Sequence, residues 1–330
     1  MGEDRIHDRE EQFMIHATGL ARTFKTKTGP VEAVRPLDFD VADGEIVGLL
    51  GPNGAGKTTT LRMLTTLLAP TAGTAEVAGV DLRTRPRDVR RRIGYVAQVG
   101  SAPAPGTRVA EELVTQGRLQ GLSKTDAIGR VQTLLPRLTL DGLAGRALSE
   151  LSGGQRRRFD VALGLVHSPQ LVFLDEPTTG LDPQSRANLW EHIRSLRDDY
   201  GVTVLLTTHY LDEADALADR IMVMDHGRIV ADDTPDALKA AVSGDVISVT
   251  VDGDITAAQR VAGEAIEVRR AVVEGEVLNL TVETGSTAIA PLLRALDAAQ
   301  LPLRSVSIAR PSLDTVFLEL TGRSLREEGS

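Results

Sequence analysis

Short apolar runs alternate along the chain with longer stretches in which apolar residues recur at helical spacing, and their order sets the expected architecture. Ile46 to Leu50, Leu171 to Leu174 and Val202 to Leu206 are runs with little polar interruption, of the kind expected of strands buried on both faces. Thr59 to Leu68 follows the first run with leucines and Met63 at helical spacing, so strand, loop and helix succeed one another there. Upstream, Met14 to Phe24, Val31 to Val34 and Leu37 to Val41 read as strands, with turns at Lys27-Thr28-Gly29-Pro30 and Asp43-Gly44. Gly73 to Leu82 reads as strand and turn, and Ile93 to Ala97 as a short strand ending at Gln98.

From about residue 99 to 166 leucine-periodic helices take over, interrupted at Ser101 to Gly106, at Gly121 and near Asp141-Gly142. This predicts a helical subdomain inserted into an α/β domain. Ile221 to Met224 and Arg228 to Ala231 flank Asp225-His226-Gly227 as a closing hairpin, and Thr234-Pro235 starts a further helix.

A second pattern begins near Ser243. Ile247, Val249 and Val251 alternate as a strand, Thr256 to Ala265 is helical, and Ile266 to Val273 and Val277 to Val282 flank the turn Glu274-Gly275. A helix from about Thr287 to Ala299 and a strand at Ser305 to Ile308 complete the order β-α-β-β-α-β, which predicts a small α+β domain of ferredoxin-like fold. Pro311 to Gly322 closes it as a capped amphipathic helix. The expected plan is a charged, mobile tail at 1–12, a first domain at 13–240 with its helical subdomain at about 99–166, a second domain at 243–322 and a tail at 323–330.

With 330 residues and 42% apolar composition, a large and a small core are both within reach. The net charge of −9 argues against a nucleic-acid or anionic-membrane surface. The chain has no cysteine, which excludes disulfides, thiolate metal sites and a cysteine nucleophile and fits a reducing cytosol. No stretch approaches the roughly 18 to 20 continuous apolar residues needed to cross a bilayer, and the N-terminus is charged where a signal peptide is apolar. Any membrane role must come through a partner.

The candidate chemistry centres on Gly51-Pro52-Asn53-Gly54-Ala55-Gly56-Lys57-Thr58, between the first buried strand and its helix. This pattern is a phosphate-binding loop. Gly51 is expected to allow the turn out of the strand, and Gly54 and Gly56 to bring backbone N–H groups close to phosphate oxygens. Lys57 then reaches the β- and γ-phosphates, the Thr58 hydroxyl joins Mg²⁺, and Thr59 follows in the first helical turn, where the dipole favours an anion. A second anion-binding helix start is expected at Leu151-Ser152-Gly153-Gly154-Gln155, with Ser152 as N-cap. Asp175-Glu176 stands at the end of a wholly apolar strand, where two carboxylates are expensive unless they hold a cation or move a proton. Asp175 is assigned to Mg²⁺ and Glu176 to orienting and deprotonating water. His209, at the end of the next buried strand, is assigned to the γ-phosphate. Phe24 is open to two readings, a base-stacking ring or a half-buried edge residue.

The phosphate loop, Gln98, Leu151 to Gln155, Asp175-Glu176, Asp182 and His209 occur in this order, and together they resemble the ATP-binding cassette ATPases, the motors of ABC transporters, over roughly Phe13 to Ala240. The resemblance implies a P-loop NTPase cassette with a mixed sheet, binding ATP with Mg²⁺ and acting as a head-to-tail homodimer. Each ATP would lie between Lys57 and its neighbours of one copy and Ser152, Gly153 and Gly154 of the other. Gln98 would reach Mg²⁺ and sense the membrane subunit, Asp182 would cross the interface, and His209 would act as a switch at the γ-phosphate. Phe24 would replace the tyrosine the family commonly stacks on adenine. Arg156, Arg157 and Arg158 would be the exposed face of the helix after the signature.

The C-terminal tail with Gly117 to Gly121, Thr207 to Asp215 and Asp225 to Arg228 further resembles the daunorubicin-resistance type of bacterial drug-export ATPase, over nearly the whole chain. That implies a motor at the cytoplasmic face of the membrane, attached to a separately encoded permease that exports a hydrophobic drug, antibiotic or lipid, with no nucleic acid involved. The alternative is a soluble ATPase of the family that acts on ribosomes or DNA without a permease. It is disfavoured by the lack of an internal repeat or a heptad run.

Overall fold

A computed structural model describes residues 13–98, 106–242, 244–309 and 312–321. The expected tails at 1–12 and 323–330 lie outside the described residues. The chain divides into two compact units, Met1–Asp232 and Asp233–Ser330.

In the first unit the apolar runs become the centre of a six-stranded sheet. Its spatial order is Arg228–Asp233, Arg220–Asp225, Ile46–Leu50, Thr203–Thr208, Leu171–Asp175 and Ile93–Val96. The Ile46–Leu50 strand pairs in parallel with both neighbours, and Leu171–Asp175 pairs in parallel with the strands on either side. Every residue of Ile46–Leu50, Leu171–Asp175 and Thr203–Thr208 is buried, because both faces of the sheet are covered. One face, with Val47, Leu49, Phe173 and Leu205, packs in a core shared with an antiparallel sheet. The opposite face, with Ile46, Val172, Leu174, Val204 and Leu206, packs on Phe159, Leu165 and Ile193 from the helical side.

The antiparallel sheet has four strands in the order Gly29–Ala42, Phe13–Thr26, Ala72–Val77 and Val80–Asp81. The two segments expected at Val31 to Val34 and Leu37 to Val41 are one strand, Gly29–Ala42, which runs through Pro36. Its partner Phe13–Thr26 keeps pairing by shifting register between Leu20, Arg22 and Thr23, opposite the residue that lacks an N–H. The inserted helices are Val109–Leu119, Lys124–Arg137 and Gly153–Leu165.

The second unit holds a four-stranded antiparallel sheet in the order Arg270–Glu274, Val277–Val282, Asp245–Val251 and Leu303–Ala309. Helices Ile255–Ala265 and Gly285–Ala298 bury Ala258, Ala262, Leu292 and Leu296 in a core with Ile247, Val249, Leu278 and Leu280. This is the ferredoxin-like order. The helix Pro235–Val242, placed by sequence alone in the first domain, packs on the closing helix Leu313–Thr321 of this unit.

Candidate functional site

The phosphate loop leaves the buried Ile46–Leu50 strand and ends in the helix Lys57–Leu64. Gly51 is needed for close approach rather than for the turn: a Cβ there would stand 2.3 Å from the Met224 carbonyl oxygen of the adjacent strand. Gly56 has φ +109°, a conformation open to glycine, and a Cβ would stand 2.7 Å from the Ala33 carbonyl oxygen. The loop is pinned from the closing hairpin, since Gly227 N donates to Ala55 O at 2.9 Å. Lys57 is buried and curls over the loop, its Nζ donating to the carbonyls of Gly51 at 2.5 Å and Pro52 at 3.0 Å.

Pro52, Asn53, Gly54, Gly56, Lys57, Thr58 and Thr59 line one cleft together with Ala33, Gln98 and Glu176. Residues expected at three separate places in the chain, the loop, Gln98 and Glu176, therefore meet. Thr58 Oγ1 donates to Asp175 Oδ1 at 3.1 Å, and Thr207 Oγ1 donates to the same oxygen at 2.7 Å. The Tyr95 hydroxyl approaches Asp175 Oδ2 at 3.5 Å. Burial, reinforced by the Asp175 charge, raises the Tyr95 pKa.

Glu176 follows the strand with φ +46°, a strained conformation for a residue with a side chain. The strain turns its carboxylate into the cleft. There Gln98 Nε2 donates to Oε2 at 2.6 Å, the Thr179 hydroxyl donates to Oε2 at 3.2 Å, and His209 Nδ1 lies 3.3 Å from Oε1. The neighbouring His209 imidazole holds the carboxylate below its ordinary range, against the upward push of burial, and the Lys57 charge adds to the lowering. Glu176 is thus an ionised acceptor beside a buried ammonium.

Ser152 caps the helix Gly153–Leu165 reciprocally, its Oγ accepting from Gln155 N at 3.3 Å while Gln155 Oε1 accepts from Ser152 N at 3.0 Å. Ser152 and Gly153 are exposed, and a Cβ on Gly153 would meet nothing within 4 Å. Gly154 is held closely instead, since a Cβ there would lie 2.6 Å from Ser185 Oγ. That hydroxyl donates to Asp182 Oδ2 at 2.7 Å, so Ser185 joins the signature to exposed Asp182, the N-cap of the helix Pro183–Asp198. These Ser185 hydrogen bonds lower the Asp182 pKa. None of Ser152 to Gln155, and not Asp182, lines the cleft. Most of the expected nucleotide residues therefore fall into two separate groups, one at the cleft and one around the exposed Ser152, Gly153 and Asp182.

Phe24 is half-buried within the strand Phe13–Thr26, with the Arg22 guanidinium carbon 4.7 Å from its ring centroid, and it does not line the cleft. The arginine run departs from expectation. Arg157 is buried rather than exposed, and it donates to the carbonyls of Pro177, Ala97, Gln98, Asp175 and Glu176 at 2.6 to 3.4 Å. Arg156 pairs with Asp160 at 3.3 Å. Consecutive positions of a helix point some 100° apart, so three arginines in a row cannot share one exposed face.

Sequence reasoning also gave no part to Glu213, which is fully buried and accepts from Trp190 Nε1 at 3.2 Å. Burial raises its pKa, opposed by the hydroxyls of Thr208 and Thr178. Its one signal in the sequence is an acidic position on the buried side of the short helix Leu211–Leu217, beside Ala214 and Leu217.

Comparison with known proteins finds relatives for both parts of the chain. A profile of the ABC transporter family matches residues 34–179, and one of the C-terminal domain of the ATP-binding protein DrrA1-3-like group matches residues 234–321. The daunorubicin/doxorubicin resistance ATP-binding protein DrrA of Streptomyces peucetius is 44% identical over 314 residues, covering 93% of this chain and 92% of its own length. The Nod factor export ATP-binding protein I of Paraburkholderia xenovorans is 41% identical over 310 residues, covering 92% of this chain and 96% of its own. Among solved structures, cbiO1 from Clostridium perfringens, part of the ABC transporter complex cbiONQ, superposes with a TM-score of 0.62 at 26% identity, over 70% of this chain and 92% of that one.

Proposed function

The chain belongs to the ABC transporter family, as an ATP-binding and ATP-hydrolysing subunit of the group that includes drug and Nod-factor exporters, and we propose that it is the motor for a separate membrane permease that exports a hydrophobic drug, antibiotic or lipid. The observation that carries this reading is the cleft in which Lys57, Thr58, Gln98 and Glu176 converge. Lys57 and the loop N–H groups bind the phosphates, and the Lys57 charge stabilises the transferring phosphoryl group. Glu176, ionised and fixed by three side chains, orients the attacking water and accepts its proton. His209 holds Glu176 and reaches the γ-phosphate. Phe24 offers a ring to the base beyond the cleft.

Thr58 and Asp175 set a hydroxyl and a carboxylate oxygen in contact at this site, and Gln98 adds an amide, a set of hard donors that suits Mg²⁺. When bound there, Mg²⁺ neutralises phosphate charge. Asp175 is held for that task by Thr207 and Tyr95.

The signature residues complete the site from a second copy. Ser152, Gly153 and Asp182 are exposed and lie outside the cleft, so they serve a nucleotide only when another chain presents them head to tail. Among the described residues no helix is long and apolar enough to cross a membrane, so attachment to the cytoplasmic face runs through the permease. The test is a pull-down from detergent-solubilised membranes with Glu176→Gln, ATP and Mg²⁺. Recovery of a polytopic membrane protein supports the reading, and recovery of ribosomal protein or DNA in its place defeats it.

A further inference from the structure

The second residue after the signature pentapeptide, Arg157, is buried at 6% exposure, with its guanidinium among the ends of two strands. Nε donates to Pro177 O at 2.6 Å, Nη1 to Ala97 O at 2.6 Å and Gln98 O at 3.4 Å, and Nη2 to Asp175 O at 3.2 Å and Glu176 O at 3.3 Å. All three nitrogens, and with them the five N–H donors of the guanidinium, are spent on carbonyls. Two of these carbonyls belong to the segment ending at Gln98 and three to Asp175-Glu176-Pro177. Burying a charge this deeply is costly, and a structural task that needs fewer donors is met more cheaply by a neutral side chain.

What these carbonyls share is Glu176. Its backbone is strained at φ +46°, and such a conformation persists only where the surroundings over-determine it. On the amide side Glu176 N donates to Thr207 O at 3.1 Å and to Thr207 Oγ1 at 3.0 Å. On the carbonyl side Arg157 holds Glu176 and both its chain neighbours, and the same guanidinium holds the main chain of Gln98, whose side chain grips the Glu176 carboxylate at 2.6 Å. We propose that Arg157 is a positioning residue for hydrolysis: it locks the strained turn at Glu176 and the Gln98 backbone into one register, so that the carboxylate meets the attacking water. The inference rests on the hydrolytic role given to Glu176 above.

Lysine cannot replace the fork, because three donors on one nitrogen cannot span carbonyls on two strand ends. Arg157 does not line the phosphate cleft, so nucleotide binding stays with the loop. The experiment compares Arg157→Lys and Arg157→Gln with wild type and Glu176→Gln in the full chain, measuring ATPase kcat and KM, and affinity for a fluorescent ATP analogue. The expected result is a fall of about tenfold to a hundredfold in kcat for both Arg157 variants, with analogue affinity and KM within about twofold of wild type. Wild-type kcat in either variant, or a loss of turnover matched by a loss of analogue binding, overturns the inference. An unfolded variant counts with the second outcome. If Glu176→Gln itself turns over at the wild-type rate, the assignment of Glu176 fails; if it is inactive while Arg157→Lys is normal, only the part given to Arg157 fails.

Discussion

In the proposed mechanism Glu176 and Lys57 carry opposite halves of the chemistry, and their replacements are expected to separate the halves. Glu176→Gln keeps the volume and the contacts from Gln98 and Thr179 but removes the base, so ATP affinity is expected to survive while hydrolysis falls by on the order of a hundredfold or more. Lys57→Ala also costs on the order of a hundredfold in turnover, and it weakens nucleotide binding, which an equilibrium titration with a fluorescent analogue distinguishes. Because the Glu176 pKa is depressed, the base stays ionised as pH falls through the ordinary carboxylate range and is lost only below it. The acid limb of kcat/KM due to this group therefore lies below the ordinary value of 4.5, and His209→Ala, which deletes the main cause of the depression, is expected to move that limb upward. Glu213 runs the other way. Its raised pKa favours folding in the protonated form, so the contribution is full below the unfolded range and is lost as pH rises through the folded value. Glu213→Gln retains an acceptor for Trp190 Nε1 and removes the buried ionisation, with Arg186 the nearby charge that opposes the shift. Its melting temperature is expected to exceed that of wild type by a margin that widens with pH, as calorimetry at pH 6 and 9 can show.

At the scale of elements, the signature helix sits against the strand that leads to Gln98 through two glycines. A Cβ on Gly94 would stand 2.3 Å from the Gly164 carbonyl oxygen, and one on Gly164 would stand 2.9 Å from Val96 Cγ2. Gly94→Ala is expected to destabilise the chain by about 1–3 kcal/mol, as overpacking of a close contact does, measured by denaturant unfolding. The buried strands were legible from sequence because a parallel sheet covered on both faces demands continuous apolar runs, and Ile46 to Leu50 and Leu171 to Leu174 satisfy that demand alone. The phosphate loop was legible because its glycines and lysine have few other uses in that context. What stayed hidden depended on contacts distant in sequence. Pro36 suggested a break that register shifts in the partner strand absorb. Gly51 answers to Met224 O, and Arg157 to five carbonyls on two other segments, and no local pattern encodes either.

Across the whole molecule, each unit has a core of its own, the second built on Ile247, Val249, Leu278, Leu280 and Leu292. A chain ending at Asp232 is therefore expected to bind the fluorescent analogue as the full chain does, and a large loss of affinity on truncation would tie the second unit to the nucleotide site. The central claim is that a working site takes its cleft from one copy and its exposed signature from another. The most direct measurement mixes two inactive variants, Lys57→Ala and Ser152→Arg, and follows ATP hydrolysis. In the mixed dimer one site has Lys57 from one copy and Ser152 from the other, both intact, so turnover should rise well above that of either variant alone. No rise, with both variants folded and free to exchange partners, would contradict the account and return the whole site to a single chain.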